Sequence, residues 1–77
     1  MKIVERKLGR ERALGQAFKE DKLIEIDPRQ PSKEYLDTVL HEGLHIVFPK
    51  MTEREVAAVS RKLSKLVWRQ GYRRIYR

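Results

Sequence analysis

The segment Val39-Leu40-His41-Glu42-Gly43-Leu44-His45-Ile46-Val47 contains the pattern H-E-x-x-H inside an apolar run. On a helix, residues four apart share a face, one turn above the other. His41 and His45 would then direct two imidazoles at a single point, as two ligands of one zinc ion must be. Glu42 follows the first histidine and would lean over the metal from one side. There it could take a proton from an activated water, the general-base role in metal-assisted peptide hydrolysis. The chain has two histidines, and both belong to this pattern. The plainer alternative is a helix flank with two histidines that are solvated or paired with carboxylates.

A catalytic zinc site needs a third protein ligand and an open position for water. No third histidine and no cysteine exists, so a carboxylate from a second helix is the economical source. Glu53 and Glu55 begin that helix just after a turn and so return toward His45. Glu55 is favoured because it lies one turn before Val59 on the expected core side. The metal set is then His41, His45 and Glu55, with Glu53 as the alternative. Thr52 and Glu55 also have the spacing of a capping box, which is a competing use of the same carboxylate.

These side chains must be positioned by a small set of elements. Lys2 to Lys7 is a weak strand. Gly9 and Gly15 bracket a charged connection, Arg10-Glu11-Arg12-Ala13-Leu14. Ala17-Phe18 either begins a second strand or packs beneath the sheet, and Glu20-Asp21-Lys22 reads as a turn. Leu23-Ile24-Glu25-Ile26-Asp27 is the clearest strand, short, branched and alternating, with Pro28 ending it. An antiparallel hairpin with the first strand is the simplest pairing.

Ser32 reads as the N-cap of a helix running to about Phe48, with Leu36, Val39, Leu40, Leu44, Val47 and Phe48 as its apolar face. Gly43 costs this helix about 1 kcal/mol relative to alanine, which points either to a space constraint or to a tolerated surface glycine. Asp37, one turn before His41, is positioned to accept the second ring N–H of that histidine, or it is simply solvated. Pro49 breaks the helix. A second helix is expected from Glu53 to Gln70, with Val56, Val59, Leu63, Leu66 and Val67 buried, Trp68 closing the core and Gly71 as the stop. The expectation is a single α+β domain over residues 1–77, in ββαα order, with a two-stranded antiparallel hairpin packed on two antiparallel helices.

Seventy-seven residues bury only a small core, and the absence of cysteine excludes disulfides and thiolate metal sites. A metal bound only by the folded state would add directly to its stability. No apolar run is long enough for a membrane span, and the N-terminus lacks a signal-peptide core, so the expected compartment is the cytoplasm. The formal net charge of +7 favours non-specific contact with nucleic acid or acidic partners. The basic tail, residues 69–77, mixes arginine with Tyr72 and Tyr76 and suits phosphate contact and base stacking, or else is a solvated end. In principle the two tyrosines could instead stabilise an oxyanion.

The strand Leu23–Asp27, followed by Leu36-Asp37-Thr38-Val39-Leu40-His41-Glu42-Gly43-Leu44-His45, resembles very small zincin-like metallopeptidases of the minigluzincin type. It is also similar to short phage- or prophage-associated proteins with the same strand, motif helix and second helix. The resemblance spans roughly residues 22 to 70 and is specific mainly at the motif. It implies a zinc ion held by His41, His45 and a downstream glutamate, with Glu42 as base. It also implies a peptide substrate lying extended along an edge strand above the motif helix, here Leu23 to Ile26. A cytoplasmic peptidase of this kind would call for an inhibitory partner or a self-blocking tail. The competing classes are a catalytically silent zinc-stabilised domain and a basic module that binds nucleic acid or a partner.

Overall fold

The alternation of Leu23–Ile26 sets the frame. In the computed structural model, which describes residues 1–9 and 13–74, this strand (β3) buries Ile24 and Ile26 and turns Leu23 and Glu25 to the opposite face. β1 (Lys2–Glu5) and β2 (Gly15–Phe18) flank it, giving a three-stranded sheet in the order β1-β3-β2. β2 and β3 are antiparallel, with Gly15 opposite Ile26 and Phe18 opposite Leu23, joined through a turn at residues 19–22 in which Lys22 has φ of 50°. β1 runs parallel to β3, from Lys2 opposite Leu23 to Glu5 opposite Ile26.

The expected two-stranded hairpin between the first strand and Leu23–Ile26 is therefore corrected. The hairpin is β2–β3, and the first strand joins the far side in parallel. A tight antiparallel return needs a short connection, which the turn after Phe18 supplies and the long segment after β1 does not.

The outward face of the sheet is polar around Glu25, with Leu23 and Phe18 paired at its other end. Glu25 accepts from Arg6 Nε at 2.9 Å and from Gln16 Nε2 at 2.9 Å, the one-sided pattern of a sheet with one wet face. The other face carries the helices. α1 (Ser32–Val47) packs on β2 and β3 and also on α2 (Glu53–Arg69), so it lies between the sheet and the second helix. From Tyr35 to Ile46 every α1 residue is half-buried except Thr38, which is buried. A helix covered on two sides has no single wet face, and the motif is consequently partly enclosed.

Helix ends follow the sequence closely, with one exception. Thr52 caps α2 through a full capping box with Glu55, and Gly71 at φ of +85° ends it with its N–H on Trp68 O. α1 instead begins with Pro31 at the cap position and no side-chain cap, and Ser32 is already helical.

The core comprises Leu8, Ile24, Ile26 and Val56. Two residues expected in the buried stripe of α2, Leu63 and Leu66, are 38% and 57% exposed, and Val47 and Phe48 at the end of α1 are also exposed. Leu63 and Leu66 gain no cover from the sheet, because α2 packs on α1 and not on the strands. Trp68 is half-buried, with the Arg73 guanidinium 3.7 Å from its ring centre.

A buried polar cluster fixes the loop between β3 and α1. The Asp27 carboxylate accepts from the Leu8 N–H at 3.0 Å, the Arg29 N–H at 3.0 Å, and Arg29 Nε and Nη2 at 2.9 and 2.6 Å. These contacts, led by the Arg29 guanidinium, hold the Asp27 carboxyl far below the usual carboxylate range. Gln30 Nε2 donates to Leu14 O at 3.2 Å and Asp27 O at 2.9 Å. The Thr38 hydroxyl lies 2.8 Å from Gln30 Oε1 and 2.9 Å from Glu34 O. This chain of contacts ties the start of β2 to α1 one turn before Glu42.

Candidate metal centre

α1 presents His41 and His45 one turn apart, with ring centres 5.1 Å from each other. Their Nε2 atoms do not face solvent alone. The carboxylate of Glu53, first residue of α2, spans both, with Oε1 2.6 Å from His41 Nε2 and Oε2 2.6 Å from His45 Nε2. The break after Phe48 reverses the chain, so the first turn of α2 returns beside the last turn of α1. The three groups offer ligand atoms all within 4.8 Å of one another, and together could hold a metal ion. Two neutral-capable imidazoles and one carboxylate are a donor set that suits zinc. The histidine side chains are 20% and 15% exposed whereas Glu53 is 70% exposed, so an ion has an open approach from the α2 side.

Of the two glutamates weighed as third ligand, the favoured Glu55 is taken up by the helix cap, and the alternative, Glu53, is the one that lies beside the histidines. Glu55 Oε1 accepts from the Thr52 N–H at 2.9 Å, while the Glu55 N–H donates to Thr52 Oγ1 at 3.1 Å. That carboxylate closes the helix end and is not in the group formed with the histidines. Residues 53 and 55 sit about 200° apart around a helix, so only one of them can face α1.

The remaining sequence candidates divide. Glu42 lies beside His41 in a cleft of about 280 Å³ that Leu14, Gly15, Asp37 and Thr38 also line. Burial raises its carboxyl above the ordinary glutamate value, the histidine charges oppose the shift, and the Glu53 charge adds to it. For Glu53, partial burial works against ionisation, but contacts with His45 and His41 prevail and hold its carboxyl below the ordinary value. Asp37 accepts from Ser64 Oγ at 3.3 Å rather than serving His41. Tyr72 is 70% exposed and borders a different hollow with Tyr35, Leu36 and Val39. Tyr76 lies outside the described residues.

Leu23–Ile26, expected as the edge that receives a substrate, is the central strand, paired on both sides. Among the described residues, β2 pairs on one side only, and it packs on the motif helix.

Sequence reasoning left Gly43 open between a space constraint and a tolerated glycine, and passed over Gly15; an added Cβ at Gly43 meets nothing within 4 Å, which favours the tolerated reading. A Cβ on Gly15 would lie 2.6 Å from Thr38 Cγ2, 3.2 Å from Glu42 Cγ and 3.3 Å from Glu25 O. Gly15 is what lets β2 approach the motif helix. Glycine inside a strand is the available signal for such an approach. Gly15→Ala is therefore expected to destabilise the fold by about 1–3 kcal/mol, the usual cost of overpacking. Adding Thr38→Ser, which deletes Cγ2 and keeps the hydroxyl, should recover much of that loss in a double-mutant cycle of thermal melts. If Thr38→Ser leaves the cost of Gly15→Ala unchanged, the close approach is not the cause.

Comparison of the chain with protein-family models, with curated proteins and with solved structures gives no match.

Proposed function

We propose that the chain is a zinc-dependent metallopeptidase, with His41, His45 and Glu53 holding the ion, Glu42 as general base, and a peptide lying extended along the outer edge of β2. The observation that carries this reading is that two histidine rings and one carboxylate offer ligand atoms within 4.8 Å of one another, with a second carboxylate, Glu42, in the adjoining cleft. A bound zinc ion would supply Lewis acidity, polarising a scissile carbonyl and making an attacking water more acidic.

The chain's own residues supply the rest. Glu42 accepts the proton of the attacking water and returns it to the departing amine. Its partial burial favours proton uptake over that of a surface glutamate. The outer side of β2, which pairs with no other described strand, offers backbone hydrogen bonds to an extended peptide, which holds the scissile bond over the motif without demanding particular side chains. Gly15 sits at the end of that edge nearest Glu42, so a substrate backbone can come close to the base.

The test is hydrolysis of a mixed peptide library by the purified protein with zinc, with a chelator, and with zinc restored. Cleavage that the chelator abolishes and zinc restores is the expected result. Stoichiometric zinc with no cleavage of any peptide would leave a metal site that only stabilises the fold.

A further inference from the structure

The outer face of α2 carries charge for which the metal centre has no use. Arg54, Arg61, Lys62, Lys65 and Arg69 are all exposed. At 100° per residue they fall within an arc of about 100°, spread over about 22 Å of helix, on the side opposite the buried Val56 and Ser60. Among the described residues none of the five makes an ion pair or a side-chain hydrogen bond. The only acids of α2 are in its first turn, Glu53 and Glu55, one turned to the histidines and the other to the cap. An ordinary solvated helix face interleaves both signs at i, i+4 spacing, which offsets the repulsion. This one does not.

Past the distal end of the arc, Arg73 stacks over Trp68, and Tyr72 turns to the hollow it shares with Tyr35, Leu36 and Val39. The arc itself has no large apolar side chain; Ala58 is its one uncharged member. A protein partner would normally need a buried aromatic or aliphatic anchor in the middle of the patch. A polyphosphate backbone needs only cations in a row.

We propose that the outer face of α2 binds the phosphodiester backbone of nucleic acid. The proposal is independent of the peptidase reading, since none of its residues touches the metal centre or the cleft beside Glu42.

The test is fluorescence anisotropy of labelled duplex and single-stranded oligonucleotides, titrated with the full chain from 50 to 200 mM salt. Five phosphate contacts predict a loss of duplex affinity of about 500-fold over that range, and somewhat less for a single strand. The triple variant Arg61→Gln/Lys65→Gln/Arg69→Gln retains two of the five and should bind more weakly, losing only about tenfold across the same range. Its melting temperature and zinc content should match wild type. Arg54→Gln/Lys62→Gln should flatten the salt dependence independently. Wild-type salt dependence in both variants would overturn the proposal. So would tighter binding of poly-glutamate than of either oligonucleotide, which would make the face a site for acidic proteins.

Discussion

Glu42→Gln is expected to keep a full complement of zinc and to lose peptide hydrolysis by about 10²- to 10⁴-fold, the usual contribution of a positioned general base. The substitution is nearly isosteric, and Glu42 is no member of the ligand group His41, His45 and Glu53. The side chain is half-buried and lies against Gly15, so glutamine can occupy the same volume while being unable to accept the proton. Separating metal from activity in this way distinguishes a base from a ligand, because His41→Ala should lose both together. A Glu42→Gln variant that cleaves within about twofold of wild type would mean that proton transfer does not pass through this carboxylate.

Zinc is expected to raise thermal stability by a margin that is large for so small a domain. Among the described residues, Leu8, Ile24, Ile26 and Val56 form the fully buried apolar core, and the conformational entropy opposing folding is correspondingly poorly offset. Free zinc at 100 times its dissociation constant adds about 2.7 kcal/mol to the folded state. At about 4–8 °C per kcal/mol for a domain of this size, the melting temperature should rise by about 10–20 °C over the chelated protein. His41→Ala and His45→Ala should melt at one temperature with or without zinc. A wild-type melting temperature indifferent to zinc and chelator would exclude a metal linked to folding.

Much of the helical part was legible because its signals are local. The apolar period of α1, the break at Pro49, the Thr52–Glu55 box and Gly71 each act within a turn or two of chain, and both helices begin and end close to where those residues place them. The sheet was less legible because strand pairing is decided over distance. Gly15-Gln16-Ala17-Phe18 has no branched residue to mark it as a strand, and it is held by the antiparallel ladder to β3 and by packing on α1. Nothing in Lys2–Glu5 says whether it pairs parallel or antiparallel.

The choice between Glu53 and Glu55 was more open to reasoning. The capping box already occupied one carboxylate, and helical geometry places the other on a different side. The core-side argument for Glu55 overrode a local signal that the structure obeys.

The central claim is that His41, His45 and Glu53 form one metal site, and zinc stoichiometry of three purified proteins tests it most directly. Wild type and Glu55→Ala should each hold one zinc per chain after dialysis against trace metal, with Glu55→Ala melting somewhat lower for want of its cap. Glu53→Ala should hold little or none. Full zinc in Glu53→Ala together with loss in Glu55→Ala would contradict the assignment, and no zinc in wild type would contradict the site itself.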